Sequence, residues 1–510
     1  MVDTTHGDHR RDLNKLCSSL LSEHSLILAS NRGPIEHHVN PHGGYDVRRG
    51  SGGVVTALNS LSSILDFTWI ASAMGEGDRR IASENVGQKI RSQMPGQKMG
   101  VRYVSLPRGV YHKHYNVFCN PLLWFLQHYM WNSPYNPNVD YKIHDAWKTG
   151  YIPVNEEFGR VVVEEGQKSS GRPIVMIHDY HLYLTAGFVR ERLPNAIIQH
   201  FIHIPWPNPR YWKLLPDYMR VQICQSLTAS DYVGFQSLED VRNFLDSCEE
   251  FLPNAKVDHN ERCVHINGRL SRIRAYPISV NVDEIVDISN SSRAVSYENS
   301  LRNEIVGKAI VRVDRAEPSK NIVRGFNAFA LLLTRYPELK NHVTFLAFLV
   351  PSRTHVRQYR RYLEEIKTVV NGINSSFGDE DWKPIKCYIE NNYTQAIAAM
   401  KLYDVLLVNS VIDGMNLVAK EGPLVNTKNG VLILSDTTGA HHELKEGALS
   451  VSPADIEGTM YSMYRALTME DDERVLRSDQ LTNRIRSKDI INWLVSQFED
   501  IRDSLDCTES

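Results

Sequence analysis

The sequence lacks the features of membrane, secreted and nucleic-acid-binding proteins. Its 510 residues carry a formal net charge of -3, so no broad basic surface for nucleic acid or anionic lipid is expected. The N-terminus has no apolar signal-peptide core, and no apolar run is long enough to span a bilayer. The seven cysteines form no CxxC pair, which indicates reduced thiols. We therefore expect a cytoplasmic protein without nucleic-acid or membrane partners.

Several catalytic signatures are also missing. The chain contains no HExxH, no GxSxG and no Cys/His spacing typical of a zinc site. Its one DxD-like run, Asp379-Glu380-Asp381, stands in a polar loop, where solvated carboxylates are far more common than a metal site. We expect neither a resident metal nor a cofactor.

Short apolar runs alternate with longer helical patterns along the chain. The runs in its first half stand at 25–31, 173–179, 196–206 and 231–237. Those in its second half stand at 308–315, 343–350, 386–390, 405–410 and 430–436. This alternation predicts an α/β fold in which helices cover parallel sheets.

The chain divides into four predicted parts. A polar tail covers 1–24, an N-terminal α/β domain covers 25–279, and a C-terminal α/β domain covers 280–484. An amphipathic helix over 485–510 is expected to pack back on the body. Ligands of such folds bind at the carboxyl ends of the strands, so two facing domains would form a cleft there.

Two polar segments of the second domain follow predicted strands. In "RVDRAEPSKN" (312–321), Arg315 and Lys320 stand before a helix, where two cations can clamp a diphosphate. They are otherwise two solvated charges at a strand end. In "DGMNLVAKE" (413–421), the amides of Asn416, Leu417 and Val418 would open a helix and attract an anion. Glu421 could then accept hydrogen bonds from ribose, whereas Asp413 could be an ordinary helix cap.

The first domain offers weaker candidates. Gly52 and Gly53 lie in a glycine-rich loop that matches neither the Walker nor the dinucleotide pattern. The other candidates are strand-end or aromatic side chains, for which a structural role is the usual explanation. They are Arg32, Tyr115, Trp124, Asp179 and His203, and Arg353 follows a strand of the second domain in the same way.

Taken in order, these segments resemble trehalose-6-phosphate synthase, a family 20 retaining glycosyltransferase. "DGMNLVAKE" is the most specific match, and "HDYHL" (178–182), "HIPWP" (203–207) and "PSR" (351–353) also fit. The resemblance covers about 25–500. It implies two Rossmann-like domains in the GT-B arrangement, and transfer of glucose from a nucleotide-glucose to glucose 6-phosphate. A separate phosphatase would act on the product, and a homo-oligomer is compatible with the sequence.

The resemblance also implies residue roles. Arg315 and Lys320 would clamp the diphosphate of the donor, assisted by the amides of Leu417 and Val418, and Glu421 would hold the ribose. The donor glucose would be bound by Asp413 and by the backbone of Gly414, Met415 and Asn416. His203 would lie beside the donor sugar, and Gly52 and Gly53 would belong to a mobile loop over the donor. Asp179, His203, Arg315 and Lys320 would be the catalytic residues. The acceptor and its phosphate would be bound by Arg32, Tyr115, Trp124, Asp179 and Arg353.

The chain departs from the usual family pattern near these positions. Ser72 replaces a tryptophan, Ile412 replaces an arginine in "NSVIDG", and "RAEPSKN" stands where "RLDYxKG" is common. The changes resemble a divergent branch that includes validoxylamine 7′-phosphate synthase and synthases that favour GDP-glucose. Three hypotheses therefore stand: a trehalose-6-phosphate synthase, an enzyme that couples an activated cyclitol or sugar to another phosphorylated acceptor, and a non-catalytic sensor.

Overall fold

A computed structural model describes Leu13 and residues 15–50, 55, 58, 61–62, 65–92, 94, 96–131, 138–169, 171–354 and 356–509, with side chains up to 505. The chain separates into two compact units. The first comprises Met1–Pro277 with Ile491–Ser510, and the second comprises Ile278–Ile490. Each unit is built on its own parallel sheet, which confirms the predicted α/β class.

Twelve strands are described in the first unit. They are β1 (Leu26–Ser30), β2 (Ile35–Val39), β3 (Tyr45–Arg49), β4 (Thr68–Ser72), β5 (Ile90–Arg91), β6 (Gly100–Val104), β7 (Ile174–His178), β8 (Ile197–Phe201), β9 (Tyr232–Phe235), β10 (Lys256–Asp258), β11 (Cys263–Ile266) and β12 (Arg269–Ala275). Strands β2 and β3 pair as a separate antiparallel hairpin, and the other ten form one sheet.

The order of that sheet is β10-β11-β12-β9-β8-β7-β1-β4-β6-β5. All neighbours from β12 to β6 are parallel, and antiparallel strands extend both edges. Every residue of β1, β4, β7 and β8 is buried, because helices cover both faces of a parallel sheet. The chain leaves β1 to one side for β4 and later returns to its other side for β7, so the strand order reverses between β1 and β7.

The helices of this unit follow the strands they cover. They are α1 (Glu76–Glu84), α2 (Arg108–His112), α3 (Trp124–Gln127), α4 (Tyr141–Ala146), α5 (Ile152–Gly166), α6 (Thr185–Arg192), α7 (Pro209–Trp212), α8 (Asp217–Leu227) and α9 (Leu238–Phe251). Wider π-helical turns, Lys113–Leu123 and Trp147–Tyr151, join α2 to α3 and α4 to α5, and Tyr180–Leu182 forms a 3-10 turn. Residues 15–21 are also helical, and Cys17 and Leu20 are buried.

The second unit contains a six-stranded, fully parallel sheet. Its strands are β13 (Lys308–Arg315), β14 (Val343–Val350), β15 (Ile385–Ile389), β16 (Val405–Val408), β17 (Val431–Ser435) and β18 (Leu449–Val451). Their order is β15-β14-β13-β16-β17-β18. Counted along the chain this is 3-2-1-4-5-6, the order of a Rossmann sheet, and it reverses between β13 and β16.

Helices pack around this sheet and bury an apolar cluster that includes Phe326, Phe329 and Phe345. They are α10 (Val282–Asn290), α11 (Ser292–Glu304), α12 (Ile322–Arg335), α13 (Arg357–Phe377), α14 (Tyr393–Met400), α15 (Val418–Val425), α16 (His441–Leu444), α17 (Ile456–Thr468) and α18 (Asp471–Ser487), with 3-10 turns at Pro318–Lys320 and Pro337–Leu339. None of the described helices is long and apolar enough to cross a membrane.

The C-terminal helix α19 (Ile490–Glu509) packs on the first unit. The Trp493 indole donates a hydrogen bond of 3.1 Å to the carbonyl of Tyr276, and the Tyr232 hydroxyl donates one of 2.6 Å to the carbonyl of Asp500. The chain therefore enters the second unit after Pro277 and returns to the first at its end.

Candidate functional site

The loops at the reversal point of the second sheet carry three cations. Arg315 ends β13, Lys320 follows it in the next turn, and Arg353 follows β14. Parallel strands present their carboxyl ends at one edge of a sheet, and ligands of doubly wound folds bind at the reversal point. The sequence motif and the strand order therefore indicate the same place.

Two of the cations share one carboxylate. Oε1 of Glu317 lies 3.1 Å from Arg315 and 3.5 Å from Arg353, and it accepts a 2.8 Å hydrogen bond from the Ser352 hydroxyl. Burial alone would raise the pKa of Glu317, but Arg315, Arg353 and Lys320 lower it to about 2. Glu317 is therefore ionised although it is completely buried.

The third cation, Lys320, pairs with Asp413, which lies in the loop after β16. The Asp413 carboxylate also accepts a hydrogen bond of 3.1 Å from the side-chain amide of Asn416. The structure thus brings Lys320 and Asp413 together across a separation of 93 residues. Asp413 does not cap the following helix, because Leu417 occupies the position before it and provides no side-chain cap.

A buried arginine that the sequence reasoning missed supports this loop. The Arg312 guanidinium donates hydrogen bonds to the Asp314 carboxylate at 2.9 Å, to the carbonyl of Lys320 at 2.8 Å and to Asn409 at 3.1 Å. Gly325 leaves the space that Arg312 needs, since a Cβ there would lie 2.4 Å from its guanidinium. The alternation of charged and apolar residues in β13 is the sequence pattern from which a buried Arg312 could have been predicted.

The Asn that replaces the usual family glycine after Lys320 is compatible with its backbone. Asn321 has a φ of 57°, in the left-handed region that asparagine tolerates better than most residues. Its side-chain amide donates hydrogen bonds to the carbonyls of Asn409 at 2.8 Å and Pro453 at 2.7 Å. This departure therefore preserves the turn that carries Lys320.

The Asp413–Asn416 loop is held by the segment that follows β17. The amide of Gly439 donates to the carbonyl of Asp413 at 3.0 Å, and that of Ala440 donates to Met415 at 2.9 Å. A Cβ at Gly439 would lie 1.8 Å from the carbonyl oxygen of Gly414, so only glycine permits this approach. Gly439 is a second residue that the sequence reasoning missed.

Glu421 lies in the first turn of α15 beside an aromatic side chain. The Tyr393 hydroxyl donates a hydrogen bond of 3.0 Å to Oε1 of Glu421. Burial raises the pKa of Glu421 to about 7, although the hydrogen bond from Tyr393 acts in the opposite direction. The preceding residue, Lys420, is buried and pairs instead with Glu443 and with the carbonyl of Ile278. The Lys420-Glu421 pair thus divides into a structural lysine and a partly buried carboxylate.

In the first unit, Arg32 stands at the reversal point just after β1. Its guanidinium forms a hydrogen bond with the Tyr115 side chain. Burial lowers the pKa of Arg32, but Tyr115 and Glu36 raise it by more, so the pKa lies above its ordinary value. The neighbouring Asn31 is buried, and its side-chain oxygen Oδ1 accepts hydrogen bonds from the hydroxyls of Ser72 at 3.0 Å and Tyr111 at 3.1 Å. Ser72 therefore anchors the loop that carries Arg32.

Asp179 and His203 lie together at the ends of β7 and β8. The His203 amide donates a hydrogen bond of 3.4 Å to Oδ1 of Asp179, whose φ of 75° is strained for a residue other than glycine. His203 Nε2 lies 3.2 Å from Nδ1 of His178. Burial, and then the proximity of His200, lower the pKa of His203 to about 3, so its imidazole is neutral at physiological pH.

The remaining predicted residues differ in their surroundings. Tyr115 stacks between Tyr111 and His181, at centroid distances of 5.6 Å and 5.7 Å. Trp124 is only 2% exposed and stacks on His128 at 4.1 Å, as a core aromatic does. Gly52 and Gly53 lie outside the described residues.

Each unit therefore presents a polar site at its own reversal point. The site in the second unit combines three cations, the carboxylates of Glu317, Asp413 and Glu421, and the start of a helix, which suits a diphosphate linked to a hydroxyl-rich group. The site in the first unit combines a cation, a carboxylate and a neutral histidine beside aromatic rings, which suits a sugar.

Comparison with known proteins places these features in one family. The model of "Glycosyltransferase family 20" matches residues 24–503. The chain is 29% identical over 472 residues to the Dictyostelium discoideum protein "Alpha,alpha-trehalose-phosphate synthase [UDP-forming] A", covering 92% of this chain but only 61% of that protein. It is 27% identical over 476 residues to "Validamine 7-phosphate valienyltransferase" of Streptomyces hygroscopicus subsp. jinggangensis, covering 93% of both chains.

Solved structures agree over nearly the whole chain. An α,α-trehalose-phosphate synthase (UDP-forming) from Burkholderia xenovorans in complex with glucose 6-phosphate superposes with a TM-score of 0.77 at 27% identity, covering 94% of this chain and 100% of that one. An E. coli structure bound with UDP-2-fluoro glucose gives 0.78 at 26% identity, covering 93% and 98%. Together with the strand order of the two sheets, which reverses once in each, these matches confirm the GT-B fold class, and the chain belongs to glycosyltransferase family 20.

Proposed function

We propose that this protein is a trehalose-6-phosphate synthase, which transfers glucose from UDP- or GDP-glucose to glucose 6-phosphate with retention of anomeric configuration. The observation that carries the proposal is the convergence of Arg315, Lys320 and Asp413 at the reversal point of the second sheet. The family match and the names of the relatives support the choice of reaction.

The second unit would bind the donor. Arg315 and Lys320 would hold its diphosphate together with the amides of Leu417 and Val418 at the start of α15. Asp413 and the backbone of Gly414, Met415 and Asn416 would bind the glucose hydroxyls. Glu421, one turn into the helix, would accept hydrogen bonds from the ribose.

Five residues are proposed to bind the acceptor. Arg32 and Arg353 would bind the phosphate of the sugar, and Asp179 would bind its hydroxyls. Tyr115 and Trp124 would border the site, although both are buried. Gly52 and Gly53 would contribute a loop over the donor.

The side chains suit departure of a nucleoside diphosphate. Negative charge grows on the leaving phosphate as the glycosidic bond breaks, and preorganised cations stabilise that charge without a metal ion. His203 is neutral, so it can hydrogen-bond to the donor sugar without opposing the positive charge that develops at the anomeric carbon. In front-face attack the leaving phosphate itself takes the acceptor proton, so no paired acid and nucleophile carboxylates are required.

Direct assay tests this function. The purified protein is incubated with glucose 6-phosphate and either UDP-glucose or GDP-glucose, and the product is identified by mass spectrometry. We expect trehalose 6-phosphate and one equivalent of nucleoside diphosphate, with a preference for one donor. Absence of the disaccharide phosphate with both donors would reject the proposal.

A second candidate retains the fold and changes the substrates. Ile412 and Ser72 stand where the usual family pattern has arginine and tryptophan, and the relative named validamine 7-phosphate valienyltransferase is 27% identical. The enzyme would then couple an activated cyclitol or sugar to another phosphorylated acceptor. A screen of phosphorylated acceptors separates the two, because strict preference for glucose 6-phosphate contradicts this alternative.

The donor should bind less tightly at acidic pH. Glu421 has a pKa of about 7, and its protonated form is a poorer acceptor for ribose hydroxyls. We expect the dissociation constant of the nucleoside diphosphate, measured by calorimetry, to be about tenfold higher at pH 6 than at pH 8.

The variant Tyr393→Phe tests this assignment. It removes the hydrogen bond that lowers the pKa of Glu421, so the midpoint of the pH dependence should move to higher pH. Tyr388→Phe is a matched control, since the Tyr388 hydroxyl contacts Glu304 instead. An unchanged midpoint in Tyr393→Phe would assign the titration to another group.

A further inference from the structure

Glu317 is a buried carboxylate that has no assigned role. It lies in the turn between Arg315 and Lys320 and has no exposed surface. Its Oε1 atom pairs with Arg315 and Arg353 and accepts a hydrogen bond from the Ser352 hydroxyl, whereas Oε2 has no hydrogen-bond partner among the described residues. A buried charge that is only partly satisfied is costly, so its retention needs a reason.

The contacts of Glu317 connect two separate loops. Arg315 belongs to the end of β13, and Arg353 belongs to the loop after the neighbouring strand β14. One carboxylate oxygen therefore fixes the guanidinium groups of both loops relative to each other. Arg353 is held further by Tyr359, whose hydroxyl accepts a hydrogen bond from it and whose ring lies 5.3 Å from its guanidinium.

The two arginine side chains differ in how far they are exposed. The Arg315 side chain is 53% exposed, although one guanidinium nitrogen is anchored to Glu317. The Arg353 side chain is only 11% exposed, and its backbone has a φ of 45°. Long cationic side chains lose considerable rotamer entropy when they bind an anion, and an anchor reduces that loss beforehand.

We propose that Glu317 is a positioning residue that orients Arg315 and Arg353 together, so that one buried carboxylate sets the geometry of both phosphate-binding groups. The inference rests on the proposed function, in which Arg315 binds the donor diphosphate and Arg353 binds the acceptor phosphate. Glu317 touches neither substrate and acts through the two arginines.

Two effects of opposite sign make the proposal testable. Removing the negative charge of Glu317 makes the site more positive and should strengthen the binding of any anion. Removing the anchor frees two guanidinium groups and should weaken binding. If positioning dominates, both ligands bind less tightly without the carboxylate; if electrostatics dominate, both bind more tightly.

The experiment compares Glu317→Gln with the wild-type protein. Calorimetry measures the affinities for UDP, GDP and glucose 6-phosphate separately, and steady-state kinetics measure KM and kcat. We expect Glu317→Gln to weaken the binding of the preferred nucleotide and of glucose 6-phosphate by about tenfold each, with kcat changing less than KM. The melting temperature identifies any variant that has lost its fold.

Two further variants separate positioning from general stability. Glu317→Asp retains the charge and should restore both affinities to within about threefold of the wild type, which a loss of folding stability alone would not predict. Glu364→Gln removes the acid of an exposed pair with Lys367 on α13 and should leave both affinities unchanged.

The outcomes distinguish the two proposals. Unchanged or tighter binding of both ligands in Glu317→Gln, in a wild-type protein that makes trehalose 6-phosphate, overturns the positioning role and leaves the function intact. Weaker binding of both ligands in a protein that makes none supports positioning and rejects the function. If the wild type binds none of the three ligands, both proposals fail.

Discussion

Replacing Lys320 with alanine is expected to lower kcat about 100-fold, the loss typical of removing one preorganised group that stabilises developing negative charge. Lys320 lies at the end of the loop that Arg312 fixes, and it pairs with Asp413, with both side chains less than one-fifth exposed. In such surroundings its charge would act with little screening on the diphosphate that leaves in the proposed reaction. The KM for the sugar phosphate should change by less than about threefold.

The kinetic measurement needs a control for the loss of a lysine. Lys367→Ala removes an exposed lysine that pairs with Glu364 at 3.0 Å, and kcat should not change. Lys320→Arg keeps the charge with a different shape and should fall between the wild type and the alanine variant. A Lys320→Ala enzyme with normal kcat and a raised KM for the sugar phosphate would place Lys320 in the acceptor site.

Much of the fold could be predicted from local patterns. The runs predicted at 308–315 and 343–350 coincide with β13 and β14, and β14 is almost continuously apolar, as buried parallel strands commonly are. The amphipathic pattern at 488–505 likewise corresponds to α19, which covers Ile490–Glu509. Strand order could not be predicted from local patterns, because the pairing of β13 with β16 joins segments that lie far apart in sequence.

The polar contacts within the candidate sites show where sequence reasoning ends. Arg315 and Lys320 stand five residues apart and could be recognised as a cation pair. The burial of Glu317 between them could not be predicted, because its partner Arg353 comes from the loop after another strand, β14. Ser72 could be recognised only as a departure from a family pattern. Its hydrogen bond to Asn31 spans 41 residues and depends on the neighbouring positions of β1 and β4.

The structure also changes the interpretation of two predicted residues. Asp413 could be a helix cap on local grounds, but the cation that pairs with it comes from the loop after β13. Trp124 could be a ligand-binding or a core aromatic, and its 2% exposure is typical of a core residue. For Asp413 the deciding contact is therefore made by a residue that lies outside the local motif.

Replacing Arg353 with alanine is expected to raise the KM for glucose 6-phosphate about 100-fold while kcat changes less than fivefold. A guanidinium that makes charge-assisted hydrogen bonds to a phosphate contributes about 2–3 kcal/mol to binding, which corresponds to that change in affinity. The phosphate of the acceptor takes no part in the bond that breaks, so its loss of binding affects ground state and transition state alike. The donor KM should stay within about threefold of the wild-type value, because Arg315 keeps its contact with Glu317.

The Arg353→Ala result is best compared with Arg335→Ala, which removes an exposed arginine paired with Glu457 at 3.2 Å and should leave all kinetic constants unchanged. Glucose, which lacks the phosphate, gives a second comparison, because the wild type and Arg353→Ala should use it equally poorly. If Arg353→Ala instead lowered kcat and left the KM for the sugar phosphate unchanged, Arg353 would act on the leaving group. If Lys320→Ala in turn raised the KM for the sugar phosphate and left kcat unchanged, the roles of the two residues would be exchanged. The two variants together therefore determine which cation binds which phosphate.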